Sequence, residues 1–553
     1  MPEARMLCRY NVETPMRDGV MLRCDVYAPA EPGQYPALLM RTVFRKRDMG
    51  RAFGQYDPAY FVRRGYAVVI QDVRGLGESE GEFDRFTADG PDGYDTIEWL
   101  AAQPFCDGHV GMIGSYFAGY LQLMAAAEKP PHLDAICPWQ TSMSINRDCD
   151  NRGFLFSSHV GWCMSRLVNR LRDGRYDEAT TREWLPRLLD ALTDYPQRQL
   201  TALPLRSMPI LRDAPFDLLR SYERHLIDGY DDFALLHKEG RDMDMARVDT
   251  PAFYVCGWYD SSRTPLIDHC LAQRARGIDS RVLIAPWKPG EPPVRADGAL
   301  ENGVYAVDVQ REMADWFDHW LKGGPAPAFA PVRYGDMANQ SIPSGGVWPP
   351  EGGAESDWYL GVGHGLTPER PGTLQGEDAY LHDPCKPLPY RGYGWQGADE
   401  TGDERVTAYL SEPLDTALTV RGLARALLHV SSTAKDADVM VRVSDVAPDG
   451  RAFVFCDGAT RMRYREDWTP RPLEADQVYP VTVLLGHVSY TVAQGHRLLL
   501  EVSGSAFPKY DVNHGTGRRP ADDAEMVACR CSVHWGKDAC SRLMLPLELS
   551  ASN

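Results

Sequence analysis

Short apolar runs and amphipathic stretches alternate along the first part of the chain. The run at 66–72 (YAVVIQD) is rich in β-branched residues, which is typical of a strand buried on both faces. The stretch at 92–103 (DGYDTIEWLAAQ) has the amphipathic spacing of a helix. Strands that alternate with helices indicate a parallel sheet. The other elements predicted in this way are strands at 20–27, 36–41, 109–113, 252–256 and 281–285, and helices at 117–127 and near 304–322.

A segment of different composition and periodicity interrupts this alternation of strands and helices. Residues 142–245 are rich in Arg, Leu and Asp, and the spacing of apolar positions at 160–172 and 181–193 is helical. A helical insertion between the two halves of a parallel sheet predicts a cap over the carboxyl ends of the strands. Ligands bind at that edge in sheets of this kind.

The last part of the chain is patterned differently again. Pro, Gly and Asp are frequent over 340–400, and short alternating runs follow at 424–431, 438–445, 479–485 and 496–503. Short strands separated by turns predict an antiparallel sandwich. We therefore expect an α/β core at 1–141 and 246–330, a helical cap at 142–245 and a β domain at 331–553.

Composition narrows the expected partners and location. A chain of 553 residues is too long for one core, and its net charge of −18 does not favour binding to nucleic acid or to an anionic membrane surface. We expect a small-molecule substrate. The start of the chain lacks a signal-peptide pattern, and no apolar run is long enough to span a membrane. The 13 cysteines therefore suggest reduced thiols in a cytoplasmic protein.

The chain matches none of the usual linear motifs for metals and cofactors. The spacing of Cys529, Cys531 and Cys540 does not match the usual zinc patterns, and there is no HExxH sequence. Neither a phosphate-binding GxxxxGK[ST] loop nor a dinucleotide-binding GxGxxG turn is present. The sequence therefore indicates no metal and no cofactor.

Three groups of motifs carry a family resemblance. They are DVRGLGESEGEF at 72–83 with the segment 92–119; CGWYD at 256–260 with APWK at 285–288 and DWFDHWLKG at 315–323; and SEPL at 411–414 with 436–453 and SGSAFPKYDVNHGTG at 503–517. In this order they resemble the cocaine-esterase/NonD-like and X-prolyl dipeptidyl-peptidase-like α/β-hydrolases. The resemblance implies an α/β-hydrolase core with a mostly parallel sheet, a helical cap and a C-terminal jelly roll. It also implies that a homodimer is a possible assembly.

The resemblance implies a Ser-His-Asp triad whose serine lies at the centre of a G-x-S-Y-x-G turn. Here Gly114 frames the turn and Tyr116 stands at its centre, while Ser115 lies one residue earlier. Residues two before and two after the centre of this turn must be small. Gly114 and Ala118 satisfy that rule for Tyr116, whereas a centre at Ser115 would need Ile113 to be small. We therefore predict Tyr116 at the apex.

Two further family positions differ in this chain. Where the family has G-P-W-x-H, residues 285–289 read Ala-Pro-Trp-Lys-Pro, so Pro289 occupies the histidine position. The family's R-T-P-Y segment supplies a tyrosine hydroxyl to the oxyanion, and the corresponding Phe44 cannot donate a hydrogen bond. Asp260 alone matches a triad residue. The sequence thus predicts a degenerate triad.

Our main hypothesis from the sequence is a non-hydrolytic enzyme. A phenol at the turn apex can act as an acid or a base, so Tyr116 with Asp260 or Lys288 as its partner would transfer protons without a covalent intermediate. The expected reactions are elimination, isomerisation, decarboxylation or cyclisation, as in a lyase, an isomerase or a cyclase. The expected substrate is an apolar small molecule, for example one of secondary metabolism.

Two alternatives stay open. The first is an atypical esterase or X-prolyl-peptidase-type hydrolase that uses Ser115 or an activated water, with His159 or Lys288 as the base. The second is a catalytically dead protein that binds a ligand in the old pocket. In each case we expect the ligand to contact a set of mostly aromatic residues, namely Phe44, Ser115, Phe117, His159, Trp162, Trp258, Tyr259 and Trp287.

Overall fold

The computed structural model describes residues 5–48, 57–83, 88–141, 153–154, 157–193, 195–213, 245–288, 308–338, 345–396, 402–467 and 469–548. The helices are α1 Pro58–Arg63, α2 Asp89–Ala101, α3 Phe117–Ala127, α4 Ser157–Arg172, α5 Glu178–Thr193, α6 Tyr195–Arg198, α7 Pro209–Asp213, α8 Arg263–Ala275 and α9 Val309–Lys322. Among the described residues, no helix has the length and apolar character that a membrane crossing requires.

Nine strands of the described residues form the first sheet. They are β1 Met6–Pro15, β2 Met21–Pro29, β3 Tyr35–Thr42, β4 Ala67–Asp72, β5 Cys106–Ser115, β6 Leu133–Trp139, β7 Ala252–Gly257, β8 Ser280–Ala285 and β9 Val332–Tyr334. Their order is β1-β2-β4-β3-β5-β6-β7-β8-β9, and every pair from β4-β3 to β8-β9 is parallel. Strands β4, β7 and β8 are buried throughout, as their apolar runs predict.

Strand β1 was not predicted from the sequence. It pairs antiparallel with β2 at one edge of the sheet, and most of its side chains are exposed. A strand with so little buried surface leaves no apolar run to detect. Its pairing depends on backbone hydrogen bonds to β2.

The described helices α4 to α7 fall between β6 and β7, where the sequence predicts the cap. Helix α4 places Val160, Met164 and Leu167 in one apolar cluster with Phe117 and Leu121 of α3. Positions 160, 164 and 167 lie on one helix face because their spacing follows the helical repeat. The cap therefore packs on the helix that follows β5.

The second sheet builds the β domain. Its strands are β10 Ala354–Gly361, β11 Gly365–Thr367, β12 Gln375–His382, β13 Gly394–Gln396, β14 Val406–Leu410, β15 Leu418–Ser432, β16 Asp438–Val446, β17 Ala452–Arg461, β18 Tyr479–Val492, β19 Arg497–Ser503, β20 Cys529–Gly536 and β21 Arg542–Leu547. Most of its strand pairs are antiparallel. Burial alternates along β15, which is the predicted pattern for a strand with one face in a core. The domain boundaries at 141, 245 and 330 stay predictions.

The β domain packs against the start of α8. The buried Arg263 guanidinium donates to the carbonyl oxygens of Leu485 and His487, each at 2.9 Å. The Thr264 hydroxyl accepts from the His487 N–H at 3.0 Å. These bonds fix the residues that follow the loop after β7, and that loop carries Asp260.

Candidate active site

The turn between β5 and α3 is the most strained feature of the site. Strand β5 ends at Ser115 and α3 begins at Phe117, so Tyr116 alone makes the turn. Its φ of 52° and ψ of −118° are uncommon for a residue with a side chain, and such conformations occur mainly at functional sites. A sharp strand–turn–helix junction is the geometry of a nucleophile elbow.

Small residues allow this turn to close. A Cβ atom on Gly114 would lie 2.6 Å from the Cβ of Ala118, and one on Gly119 would lie 2.8 Å from Cγ2 of Thr141. Neither contact is sterically allowed. The backbone thus adopts the frame that Gly114 and Ala118 predict, with Tyr116 at its centre. The catalytic role of Tyr116 stays a prediction.

Buried hydrogen bonds hold the turn in place. The Gln122 amide donates to the Gly114 carbonyl oxygen at 3.0 Å, and its own oxygen accepts from the Cys137 N–H at 2.9 Å. The Thr141 hydroxyl donates to the Tyr116 carbonyl oxygen at 2.7 Å. Strands β5 and β6 are therefore tied together directly below the apex.

Ser115 lies below the apex and not at it. Its side chain is 3% exposed, and its hydroxyl has no hydrogen-bond partner among the described residues. Ser115 lies two residues after Ile113 on β5, so the strand alternation directs both side chains to the same sheet face. A buried hydroxyl without a partner costs about 1–3 kcal/mol.

Asp260 follows β7 and is buried. Its carboxylate accepts from the N–H of Ser262 at 2.7 Å and from the Ser262 hydroxyl at 2.5 Å. Burial raises the pKa of Asp260, and the two bonds from Ser262 offset part of that increase. Arg263 donates to the backbone oxygen of Asp260 at 3.2 Å, so its charge does not pair directly with the carboxylate.

Lys288 is exposed after β8. The amide of the buried Gln140 donates to its backbone oxygen at 3.2 Å, which holds the end of β8 beside the end of β6. Pro289, the residue at the predicted histidine position, lies outside the described residues. The structure therefore describes the approach to that position but not the position itself.

The parallel sheet gathers the candidate chemical groups at one edge. Phe44 follows β3, Tyr116 follows β5, Asp260 follows β7 and Lys288 follows β8, all at carboxyl ends of parallel strands. Strand β6 separates β5 from β7, so the ends that carry Tyr116 and Asp260 are about 10 Å apart. Tyr116 and Asp260 thus lie on either side of the end of β6.

Aromatic rings connect the cap to the elbow. The Phe117 and Trp162 rings are stacked, with centroids 5.7 Å apart and planes at 18°. Phe83 lies 6.3 Å from Trp162, and Phe44 packs beside this group. Three predicted ligand-contacting residues, Phe44, Phe117 and Trp162, are thus brought together.

Sequence reasoning missed Arg166 of α4. It lies one helical turn after Trp162, which is the signal that could have placed it on the same face. Its guanidinium donates to the Val43 carbonyl oxygen at 3.0 Å and lies 4.1 Å from the centre of the Phe44 ring. Burial lowers the pKa of Arg166 to about 10, so the group is still a cation at neutral pH.

Two predicted ligand-contacting tryptophans have packing roles in the structure. Trp258 donates to the Gly335 carbonyl oxygen at 2.6 Å and packs on Trp348, with ring centroids 5.5 Å apart. Trp287 is fully buried in the apolar layer that includes Trp316 of α9. Their contact with a ligand stays a prediction.

The remaining predicted residues lie in separate places. Tyr259 packs against Tyr393 of the β domain, with ring centroids 5.8 Å apart. His159 belongs to α4, but its side chain lies outside the described residues. In the part of the chain that the structure describes, no group of three His, Cys, Asp or Glu side chains is arranged to hold a metal ion.

Solved structures of similar fold cover nearly the whole chain. An alpha-amino acid ester hydrolase aligns with a TM-score of 0.82 and 22% identity over 99% of this chain and 97% of its own. An aminopeptidase from a marine sediment archaeon, Thaumarchaeota archaeon, aligns with a TM-score of 0.81 and 22% identity over 99% and 96%. These similarities support the α/β-hydrolase fold with its C-terminal β domain.

Sequence comparison overturns the prediction of a non-hydrolytic enzyme. The chain is 32% identical to the cocaine esterase of Rhodococcus sp. (strain MB1 Bresler), over 97% of this chain and 98% of that protein. The profile of X-Pro dipeptidyl-peptidase (S15 family) matches residues 18–288. These are hydrolases, so the prediction of a lyase, an isomerase or a cyclase is wrong.

The error lay in the step from altered residues to altered chemistry. Tyr116, Phe44 and Pro289 were interpreted as the loss of hydrolysis itself. Hydrolysis needs a water molecule or hydroxyl that a base assists, and the protein can supply that base from another residue. The replacement of triad members stays a prediction.

The match extends beyond the catalytic part. The profile of the X-Pro dipeptidyl-peptidase C-terminal non-catalytic domain matches residues 328–543, which includes all of β10 to β21 except the last strand's end. The predicted fold class is therefore confirmed, with the hydrolase core and the β domain in the expected order. The chain belongs to the X-Pro dipeptidyl-peptidase (S15) family and is a relative of cocaine esterase.

Proposed function

We propose that the protein hydrolyses an ester or amide bond of an aromatic or apolar small molecule. The observation that carries the proposal is the strained elbow at Tyr116, with the buried carboxylate of Asp260 two strands away. The stacked rings of Phe117 and Trp162 cover this edge and suit an apolar substrate. The relationship to cocaine esterase supports the same reaction class.

In the proposed mechanism a water molecule attacks the substrate carbonyl and Asp260 is the general base. The raised pKa of Asp260 makes its carboxylate a stronger base than an exposed one. The water oxygen bonds to the carbonyl carbon while its proton passes to Asp260. As the bond to the leaving group breaks, the Tyr116 phenol donates a proton to that group. Proton exchange with solvent then restores Asp260 and Tyr116.

The same function has a second route through Ser115. Its hydroxyl lies one residue before the apex and is 3% exposed, so it reaches a substrate only if the turn shifts. A shifted turn would form an acyl-enzyme on Ser115. The water route is preferred because it uses the turn as it stands.

The test is hydrolysis of 4-nitrophenyl acetate and 4-nitrophenyl benzoate. We expect turnover by the wild type, a loss of about 10²- to 10⁴-fold in Asp260→Asn, and little change in Ser115→Ala. A wild-type rate equal to that of buffer would overturn the hydrolase proposal. A fluorophosphonate adduct on Ser115, detected by intact mass, would replace the water route with the serine route.

The described cysteines bear on the location of the protein. No disulfide joins the cysteines of the described residues, which agrees with reduced thiols and supports a cytoplasmic location. Fractionation of the source cells tests this, and recovery of the protein outside the cytoplasm would contradict it.

We also propose a homodimer, which light scattering would detect as twice the chain mass.

A further inference from the structure

Arg166 is a buried cation whose contacts with the described residues are all uncharged. It is 6% exposed, and its guanidinium donates to the Val43 carbonyl oxygen at 3.0 Å and to the Ser165 hydroxyl at 3.4 Å. Its Nε–H has no acceptor within the described part of the chain. Across those same residues, no carboxylate oxygen lies within 4 Å of the guanidinium. The positive charge thus lacks a counterion there.

A buried cation without a counterion is energetically unfavourable. Buried charges are normally paired, because removal of an ion from water is expensive and only a close opposite charge compensates for it. The lowered pKa of Arg166 reflects this same burial. A bound anion would supply the charge that the described residues do not.

Arg170 repeats the pattern one turn further along α4. It is 7% exposed, and its Nε and Nη1 atoms have no acceptor among the residues that the structure describes. Its nearest carboxylate is that of Glu82, 3.7 Å away, and the Glu82 side chain is 72% exposed. Arg166 and Arg170 therefore place two buried cations one turn apart on the same face of the cap helix.

The surroundings of Arg166 select for a particular anion. The guanidinium lies over the Phe44 ring at 4.1 Å and near the Trp162 ring at 5.8 Å, so its neighbours are flat and apolar. A planar guanidinium matches the two oxygens of a carboxylate with parallel hydrogen bonds. An aromatic carboxylate would satisfy both features, because its ring would stack and its oxygens would meet the cation.

We infer that Arg166 binds a carboxylate carried by the substrate, so that the substrate is an aromatic compound with two groups, the ester or amide bond that is cleaved and a separate free carboxylate. The inference rests on the proposed hydrolysis and names its substrate class. Arg166 would orient the substrate from the cap while the bond to be cleaved lies at the elbow. It determines specificity and takes no part in proton transfer.

The first experiment measures binding and needs no turnover. Benzoate and its neutral counterpart benzamide are titrated into the full-length protein, and binding is followed by calorimetry. We expect benzoate to bind more tightly than benzamide, and Arg166→Met to weaken benzoate by about ten- to one-hundredfold without changing benzamide. Arg166→Lys should give an intermediate loss, because lysine keeps the charge but not the planar pair of donors. Equal affinity for benzoate in wild type and Arg166→Met would overturn the inference.

A matched control separates this effect from a general change in charge. Arg182 lies on the neighbouring cap helix α5, is 79% exposed and pairs with Glu178. Arg182→Met removes the same charge from the same cap, and we expect benzoate binding to stay at the wild-type value. A loss equal to that of Arg166→Met would contradict a specific site.

The second experiment uses hydrolysis of 4-acetoxybenzoate and of 4-acetoxybenzamide, which differ only in the anionic group. Arg166→Met should reduce kcat/KM for the anionic ester about ten- to one-hundredfold more than kcat/KM for the neutral ester. An equal loss for both esters would mean that Arg166 acts on the reacting carbonyl, and this would overturn the inference. If neither ester is hydrolysed while benzoate still binds through Arg166, the proposed function fails and the anion site stands.

Discussion

The β domain and the cap each contain a buried arginine, and the two arginines differ in whether a carboxylate lies beside them. Arg461 at the end of β17 is fully buried, and its guanidinium donates to both carboxylate oxygens of Asp438 at 2.9 Å. Asp511 lies 3.3 Å away as a second anion. Arg166 in the cap is nearly as buried, but its described contacts are a carbonyl, a hydroxyl and rings.

Aromatic packing does not explain the contrast, because both arginines have it. Arg461 lies 4.6 Å from the centre of the Phe154 ring, and Arg166 lies 4.1 Å from that of Phe44. The difference is the carboxylates. A buried charge that stabilises a fold is paired with counterions from the protein itself. A buried charge that binds a ligand obtains its counterion from that ligand.

The largest expected effect on stability is at Arg461. Arg461→Met would leave the carboxylates of Asp438 and Asp511 buried without their cation, and we expect the free energy of unfolding to fall by about 3–5 kcal/mol. Urea denaturation of the whole chain, followed by circular dichroism, measures this change. A loss below about 1 kcal/mol would remove the structural half of the comparison.

The same substitution in the cap should act in the opposite direction. Arg166→Met replaces a buried cation by an apolar side chain of similar length, so the free energy of unfolding should stay equal or rise by about 1–4 kcal/mol. The measurement is again urea denaturation without ligand. Destabilisation as large as that of Arg461→Met would show that Arg166 serves the fold.

Changes of pH test the charge of Asp260 at acidic pH and the charge of Arg166 at alkaline pH. Asp260 must be ionised to act as a base, so kcat/KM should fall on acidification through its raised pKa, at a pH above the ordinary aspartate value of about 3.9.

Arg166 must be protonated to bind a carboxylate, so benzoate affinity should be lost as pH rises through about 10. Benzoate affinity that increases as pH rises through about 10 would contradict the role of Arg166.

The smallest expected effect concerns Ser115. Its buried hydroxyl lacks a hydrogen-bond partner among the residues described, so Ser115→Ala removes a polar group without breaking a bond. We expect the free energy of unfolding to rise by about 1 kcal/mol, the lower end of the cost of an unpaired buried hydroxyl. The midpoint of thermal unfolding measures it. Marked destabilisation would mean that the hydroxyl has an important partner.

Much of the fold could be predicted from the sequence, for physical reasons. Strands β4, β7 and β8 are buried on both faces, so burial leaves an apolar run. The frame of the elbow could be predicted too, because the closeness of Gly114 and Ala118 excludes larger residues. Strand β1 is exposed and carries no such signal.

The site was less predictable because its features depend on partners far away in the chain. Trp258 is predicted to contact a ligand, and its ring also packs on Trp348 and donates to the Gly335 carbonyl oxygen, both far along the chain. An arginine in a cap helix normally suggests a solvated face. Arg166 is buried against Val43 and Phe44 by tertiary packing, which helical spacing alone does not predict.

The central claim is that this fold hydrolyses an ester by means of Asp260, and the rate of 4-acetoxybenzoate cleavage tests it most directly. At neutral pH we predict turnover by the wild type and a loss of at least about 10²-fold in Asp260→Asn, with the variant still folded. A wild-type rate no higher than that of buffer, or equal rates for the two proteins, would contradict the account.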